Sequence, residues 1–285
     1  MCHKTELKLI PSISFIGAGK ASTSLGVYFK NKGFEIAGYL SKRKTSAEAA
    51  SLKTESKAFT SLYELIEDSN VIWITTPDDQ IETVVKEISE LRTFSREQKI
   101  VLHASGVHTT DILLPAKNAG YKTAAAHPLL AFGSSENTVR LLGETWFAVE
   151  ESSSEVSNLL HSCGNKTFSI DKNNKTLYHA AACVLSNYLV TLMDAAQQIF
   201  ELTGLPEEEA TNATLPLIES VIENLKDKSS KDALTGPIKR GDAQTISMHL
   251  ASIQNSIPEM MDLYKVMGRR TMDMIEDYKL KDILE

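Results

Sequence analysis

Three cysteines in 285 residues, Cys2, Cys163 and Cys183, are too few and too scattered for a disulfide framework. They form no C-x-x-C pair, which removes the usual zinc and dithiol signatures, and no metal site is expected. A chain without disulfides suits a reducing compartment, so a cytoplasmic location is the simplest expectation. The sequence also lacks a basic excess: its net charge is −7 and its pI is near 5.6. That argues against nucleic acid or an anionic membrane surface as the main partner. The opening residues MCHKTELK have no apolar signal core. The longest apolar stretch, from His179 to Ala196, carries Ser186, Asn187, Tyr188 and Asp194, and reads as a buried helix rather than a membrane span. No repeat and no low-complexity tract occurs.

What remains is ordinary globular composition, 42% hydrophobic and 24% charged, over a length that suits two domains. The most informative stretch is ISFIGAGKASTSLG, from Ile13 to Gly26. An apolar β-prone run meets Gly17-Ala18-Gly19, and a helix-compatible segment follows through Leu25, Val27 and Tyr28, so that a cofactor would sit on Gly17–Ala21, including Lys20 and Ala21. Strand, glycine turn and helix in this order open a dinucleotide-binding unit. Gly17 would allow the sharp turn. Gly19 would let the backbone approach a pyrophosphate, whose charge would rest on the unpaired N–H groups of the helix start. Ser22 stands at the third glycine position and is small enough for close helix–strand packing. A glycine turn in an α/β protein that binds no nucleotide would look similar.

Strand-like runs at Ser12–Ile16, Glu35–Tyr39, Val71–Thr75, Lys99–His103, Lys122–Ala126, Trp146–Val149 and Lys166–Ile170 alternate with helical segments near 21–32, 45–53, 79–91, 109–118 and 158–162. This alternation predicts a doubly wound parallel sheet with helices on both faces. No strand signal follows Asn174. One helix is expected over 175–202, a second over 207–225, a third over 243–255 capped by Asp242, and a last one rich in methionine. The fold class is thus α/β, with a Rossmann-like domain over 1–172 and an all-α domain over 173–285.

The carboxyl ends of the predicted strands hold the candidate ligand groups. After the second strand, Ser41-Lys42-Arg43 replaces the acid that an NAD site uses, and offers donors suited to a ribose 2′-phosphate. It could equally be a solvated basic turn. Thr75, Thr76 and Pro77 would border the nicotinamide ribose, while Asp78 reads as a helix cap. Ser105 and Gly106 end the next strand, either bonding the nicotinamide or forming a plain Ser-Gly turn. His127, held by Pro128 at a strand end, is a general acid/base candidate or a structural histidine. His179 and Asn187 share a helical face and could hold a substrate oxygen. Arg240, in the Gly236–Asp242 loop, could bind a carboxylate or lie solvated beside Asp242.

The G-A-G turn, the basic run, TTPDD, HASG, AHPLLAF, YHAAACVLSNYLVTL and LTGPIKRGD together resemble the 6-phosphogluconate dehydrogenase-like superfamily. Within it they are most like a Rossmann-like group without an assigned reaction, classed with NADP oxidoreductases and related to the deazaflavin-dependent NADP oxidoreductase family. The resemblance implies NADP as cofactor, a small-molecule substrate that is anionic in character, and a homodimer formed through the helical domain. Catalytic roles would fall to His127, His179, Asn187 and Arg240. The proton-transfer lysine of the hydroxyacid dehydrogenases in that superfamily is replaced here by Cys183. A non-catalytic NADP sensor, or a reductase of a flavin-like cofactor, are the competing readings.

Overall fold

The computed structural model describes residues 11–94, 96–133, 136–151 and 154–285. Cys2 and His3 lie outside the described residues. The chain divides into two compact units, the first ending at Ser186 and the second spanning Asn187–Glu285. The expected boundary, near 172, falls one helix earlier.

The first unit alternates strand and helix: β1 (Ser12–Ile16), α1 (Lys20–Asn31), β2 (Glu35–Leu40), α2 (Lys44–Thr54), β3 (Lys57–Phe59), α3 (Leu62–Glu67), β4 (Val71–Ile74), α4 (Ile81–Glu90), β5 (Ile100–His103), α5 (Leu114–Asn118), β6 (Lys122–Pro128), α6 (Glu136–Leu142), β7 (Trp146–Glu151), α7 (Glu155–Ser162), β8 (Lys166–Ser169) and α8 (Lys175–Leu185). The strands form one sheet in the order β3-β2-β1-β4-β5-β6-β7-β8. Three short elements, β3, α3 and α6, gave no periodic signal in the sequence. The sheet is parallel from β3 to β6, as expected, but β7 runs antiparallel to β6 and β8 follows β7. The reason is local. The Leu129 N–H bonds the Trp146 carbonyl at 3.0 Å, so β7 starts at the end of the sheet where β6 stops.

Both faces are covered, which is why β1 and β4 are buried along their whole length. On one face Leu25, Tyr28 and Phe29 of α1 pack on Phe15, Tyr39 and Trp73. On the other, Val84, Val85 and Ile88 of α4 pack on Ile16, Ile72 and Ile74. The chain changes faces between α1 and α4, so a crevice opens at the carboxyl ends of β1 and β4, the switch point where α/β sheets hold ligands.

One buried cation is purely structural. Lys99, 6% exposed, directs Nζ at the carbonyls of Ile66, Glu67 and Ser69 at 2.7, 3.1 and 2.8 Å, closing the end of α3. Lys99→Met should cost about 2–3 kcal/mol, because buried carbonyls lose a charged donor. Urea denaturation measures this, and an unchanged midpoint would contradict it.

The second unit contains α9 (Asn187–Glu201), α10 (Glu207–Asp227), α11 (Ser230–Ala233), α12 (Pro237–Arg240), α13 (Ala243–Ser256), α14 (Met261–Ile275) and α15 (Lys281–Leu284), with no strand among the described residues. Ile246, Met272, Leu280 and Leu284 form its core. The single helix expected over 175–202 is interrupted at Ser186, giving α8 and α9. It is not buried as expected: Leu177, Leu185, Tyr188 and Val190 are exposed, and Lys175 and Ala195 are the buried residues of α8 and α9. By length and composition alone residues 172–201 could cross a membrane. Yet α8 is fastened to the sheet by polar contacts from Lys175 and Tyr178, which is the behaviour of a helix docked on protein.

Candidate functional site

The glycine turn is built by its neighbours. Gly17 has φ +110°, and a Cβ there would lie 2.7 Å from the Thr75 carbonyl oxygen, so both backbone conformation and space demand glycine. The turn is pinned on both sides: Gly17 N–H bonds Leu40 O at 2.7 Å, and Thr75 N–H bonds Ile16 O at 2.8 Å. The Thr75 hydroxyl adds a bond to Ile16 O at 3.2 Å. Gly19 is different. It is the N-cap of α1 in an extended conformation, and a Cβ there would meet nothing within 4 Å. No side chain caps α1 and no acid stands in its first turn. Its unpaired N–H groups, with Lys20 and Ala21 in the first turn, therefore face open space, the arrangement that binds anions. Ser22 is fully buried and donates to Gly19 O at 3.1 Å. The tightest helix–strand approach lies one turn later at Gly26, where a Cβ would sit 1.8 Å from the Tyr39 hydroxyl oxygen.

Ser41, Lys42 and Arg43 stand where β2 ends and α2 begins. Lys42 Nζ bonds Gln80 Oε1 at 2.6 Å, and Arg43, at the N-cap of α2, is exposed. Thr75, Thr76 and Pro77 leave β4 toward the same end of the sheet. Asp78 does not cap a helix, contrary to expectation. A three-residue turn helix over Asp78–Gln80 intervenes before α4, and Asp78 makes no capping bond.

His103 closes β5, fully buried. Its Nδ1 accepts the Ser105 N–H at 3.2 Å, and its Nε2 lies 3.2 Å from the Thr109 carbonyl. Burial, helped by the Lys175 charge, pushes its pKa down to about 3, so it is a neutral brace. The Ser105 hydroxyl oxygen accepts from Val107 N–H at 3.2 Å and from His108 N–H at 3.1 Å. It therefore shapes the turn that follows β5.

That turn presents Gly106 to two imidazoles. A Cβ at Gly106 would lie 2.5 Å from His179 Cδ2 and 3.0 Å from His127 Nε2. The rings of His127 and His179 have centroids 6.1 Å apart at 68°. His127 Nδ1 is 2.7 Å from the Tyr178 hydroxyl, and the Tyr178 ring leans edgewise on Phe168 at 6.0 Å. Burial, then the neighbouring His179 and Lys175, push His127 down to about 4. Burial pushes the Tyr178 phenol up to about 12. His179 Nδ1 lies 3.7 Å from Cys183 Sγ, one helical turn on. Behind them Lys175, 4% exposed, reaches Glu150 Oε2 at 3.5 Å. Glu150 Oε1 accepts the Thr110 N–H at 3.0 Å and the Thr110 hydroxyl. Burial lowers the Lys175 pKa even though Glu150 opposes the shift.

The first unit thus gathers Gly17–Ala21, Ser41–Arg43, Thr75–Pro77, Ser105, Gly106, His127 and His179 at the carboxyl end of its sheet. Asn187, the first residue of α9, and Arg240, the exposed last residue of α12, belong to the second unit. The start of α13 is filled by Asp242, which accepts the Thr245 N–H at 3.0 Å and the Thr245 hydroxyl at 2.7 Å. Sequence reasoning overlooked Lys175, Tyr178 and Glu150. Lys175 and Tyr178 had a usable signal: Lys175 lies four residues before His179, on its face of α8, and three before Tyr178, which makes it a neighbour of both.

Residues 6–128 match the model of the Rossmann-like domain, and residues 144–271 match that of a domain of unknown function, DUF2520. No curated protein matches the chain. Among solved structures, the Bacteroides fragilis protein BF3122, provisionally called an NADP oxidoreductase, is similar with a TM-score of 0.75 at 23% identity, over 92% of this chain and 98% of that one. Protein TM1727 from Thermotoga maritima gives 0.70 at 24%, over 93% and 98%. A pyrroline carboxylate reductase from Plasmodium falciparum, solved with NADP bound, gives 0.62 at 16%, over 93% and 95%. His127 lies next to the last residue of the first matched region, whereas Glu150, Tyr178 and His179 come from the second. Residues 6–128 are thus similar to a Rossmann-like domain and residues 144–271 to a DUF2520 domain, and the histidine cluster draws residues from both matched regions.

Proposed function

We propose that the protein is a cytoplasmic NADP(H)-dependent oxidoreductase acting on a small, anionic molecule. The observation that carries this reading is the glycine turn: Gly17 permits no side chain, Gly19 leaves space above it, and α1 begins uncapped. This cradle fits a diphosphate, with Gly17–Ala21 holding it through backbone N–H groups. The Ser41 hydroxyl and the cationic Lys42 and Arg43 then suit a 2′-phosphate, and no acid competes there. Thr75–Pro77, Ser105 and Gly106 would border the nicotinamide. The bound nucleotide would supply the hydride, while the protein's own groups position the acceptor and exclude water.

NADPH and NADH titrations of the purified protein test the reading. NADPH should bind at least about tenfold tighter, and Arg43→Ala should remove most of that preference, since a charged hydrogen bond contributes about 1.5–3 kcal/mol. Equal affinities, or an indifferent Arg43→Ala, would refute the 2′-phosphate role. Failure to bind either nucleotide would refute the whole reading.

A homodimer through the helical unit is part of the same proposal. Val190 of α9 and Leu217, Val221 and Ile222 of α10 are apolar side chains left exposed on a single chain, which favours a partner. Light scattering should give twice the chain mass, and Leu217→Asp with Val221→Asp should give the monomer mass.

A further inference from the structure

We propose that Tyr178 fixes the tautomer of His127, so that the imidazole presents Nε2–H beside Gly106 as a hydrogen-bond donor to a carbonyl oxygen of a bound ligand. The inference deepens the oxidoreductase reading and rests on it only for the ligand's identity. A neutral imidazole carries one proton, and its two nitrogens differ here. Nδ1 lies 2.7 Å from the Tyr178 hydroxyl. If Nδ1 held the proton and donated it to Tyr178, the phenol hydrogen would need another acceptor. None is available to Tyr178 among the described residues, and a half-buried O–H without an acceptor is costly. Phenol is also the better donor and imidazole nitrogen the better acceptor of the two. The phenol therefore donates to Nδ1, and the proton of His127 resides on Nε2.

Nε2 has no protein partner among the described residues, and it lies 3.0 Å from where a Gly106 side chain would begin. Glycine at that place keeps the approach to Nε2 clear. Tyr178 is itself held in place, its ring leaning on Phe168 at 6.0 Å and on His127 at 5.5 Å and 85°. The depressed basicity of His127 keeps the ring neutral near pH 7. His127 then serves as a fixed donor rather than as the acid that supplies a proton, and Tyr178 is its positioning residue. Two acceptors fit this donor: the carboxamide oxygen of a nicotinamide, or the carbonyl oxygen of a substrate.

The test is imidazole nitrogen NMR on the full-length protein labelled with 15N-histidine, with His127 assigned by its loss in His127→Gln. In the wild type, Nε2 should carry the proton and Nδ1 should not, from pH 8 down to pH 5. Tyr178→Phe, which keeps the ring but removes the hydroxyl, should let the two tautomers interconvert. A proton on Nδ1 in the wild type overturns the proposal without any variant. An unchanged tautomer in Tyr178→Phe overturns the role of the tyrosine. Added NADP+ should move the Nε2–H resonance if the carboxamide is the acceptor. A shift that appears only when oxamate follows NADP+ identifies a substrate carbonyl. No shift with either overturns the donor role. Failure of NADP+ to bind at all, read by fluorescence in the same samples, refutes the oxidoreductase reading while leaving the tautomer result standing.

Discussion

Gly19→Asp is expected to abolish NADPH binding while leaving the protein as stable as before, or slightly more stable. The two effects have opposite signs because they share the same atoms. Gly19 has φ −88° and ψ −171°, a conformation open to any residue, and a Cβ there would meet nothing within 4 Å. An aspartate would cap α1, which now has no side-chain cap, and would gain a few tenths of a kcal/mol over glycine. Its charge at the positive end of the helix adds about 0.3–1 kcal/mol. The same carboxylate would occupy the N–H groups that a diphosphate needs and would repel it. A loss of at least about 100-fold in affinity, roughly 2.7 kcal/mol, follows. Thermal melting and fluorescence titration of one variant read both quantities. Binding that survives with raised stability would mean that the phosphates are not held at this helix start.

Mild acid should destabilise the protein well before its carboxylates titrate. His103 and His127 are held neutral in the fold, near 3 and 4, while an unfolded histidine titrates near 6.5. Between these values the unfolded chain binds more protons than the folded one, so stability is full above pH 6.5 and falls as the pH drops. At pH 5 each histidine has removed about 2 kcal/mol, at about 1.4 kcal/mol per pH unit below 6.5. Against the 5–15 kcal/mol typical of a domain this is a large fraction. Denaturant titrations at pH 7.5 and pH 5 measure it, and His103→Asn should remove about half of the difference. A flat profile over that interval would show that neither ring is held neutral.

The strands and the glycine turn were legible because they obey local rules. β1 matches its expected span, Ser12–Ile16, since an apolar run ending in Gly-x-Gly leaves few alternatives. β3, α3 and α6 were not legible: three to seven residues are too few to show a period. The reversal of β7 was hidden because a strand's direction depends on where its connection returns, which no residue of the strand records. The histidines were legible by their position at strand and helix ends. Their chemistry was not, because burial decides it, and burial of His127 depends on Tyr178 and Gly106, 51 and 21 positions away in the sequence. Tyr178 and Lys175 meet side chains of β6 and β7, His127 and Glu150, and helical periodicity alone records neither contact.

The placement of α8 also bears on how such a chain can be divided or exchanged during evolution. A cut at residue 172, where the strands have ended, would remove Lys175 and strand the Glu150 carboxylate with its remaining bonds to Thr110. It would also remove the hydroxyl that His127 meets. A cut after Ser186 leaves both pairs intact. The inheritable piece is therefore the sheet together with the helix bound to β6 and β7, and a foreign helical unit could be grafted only beyond that point.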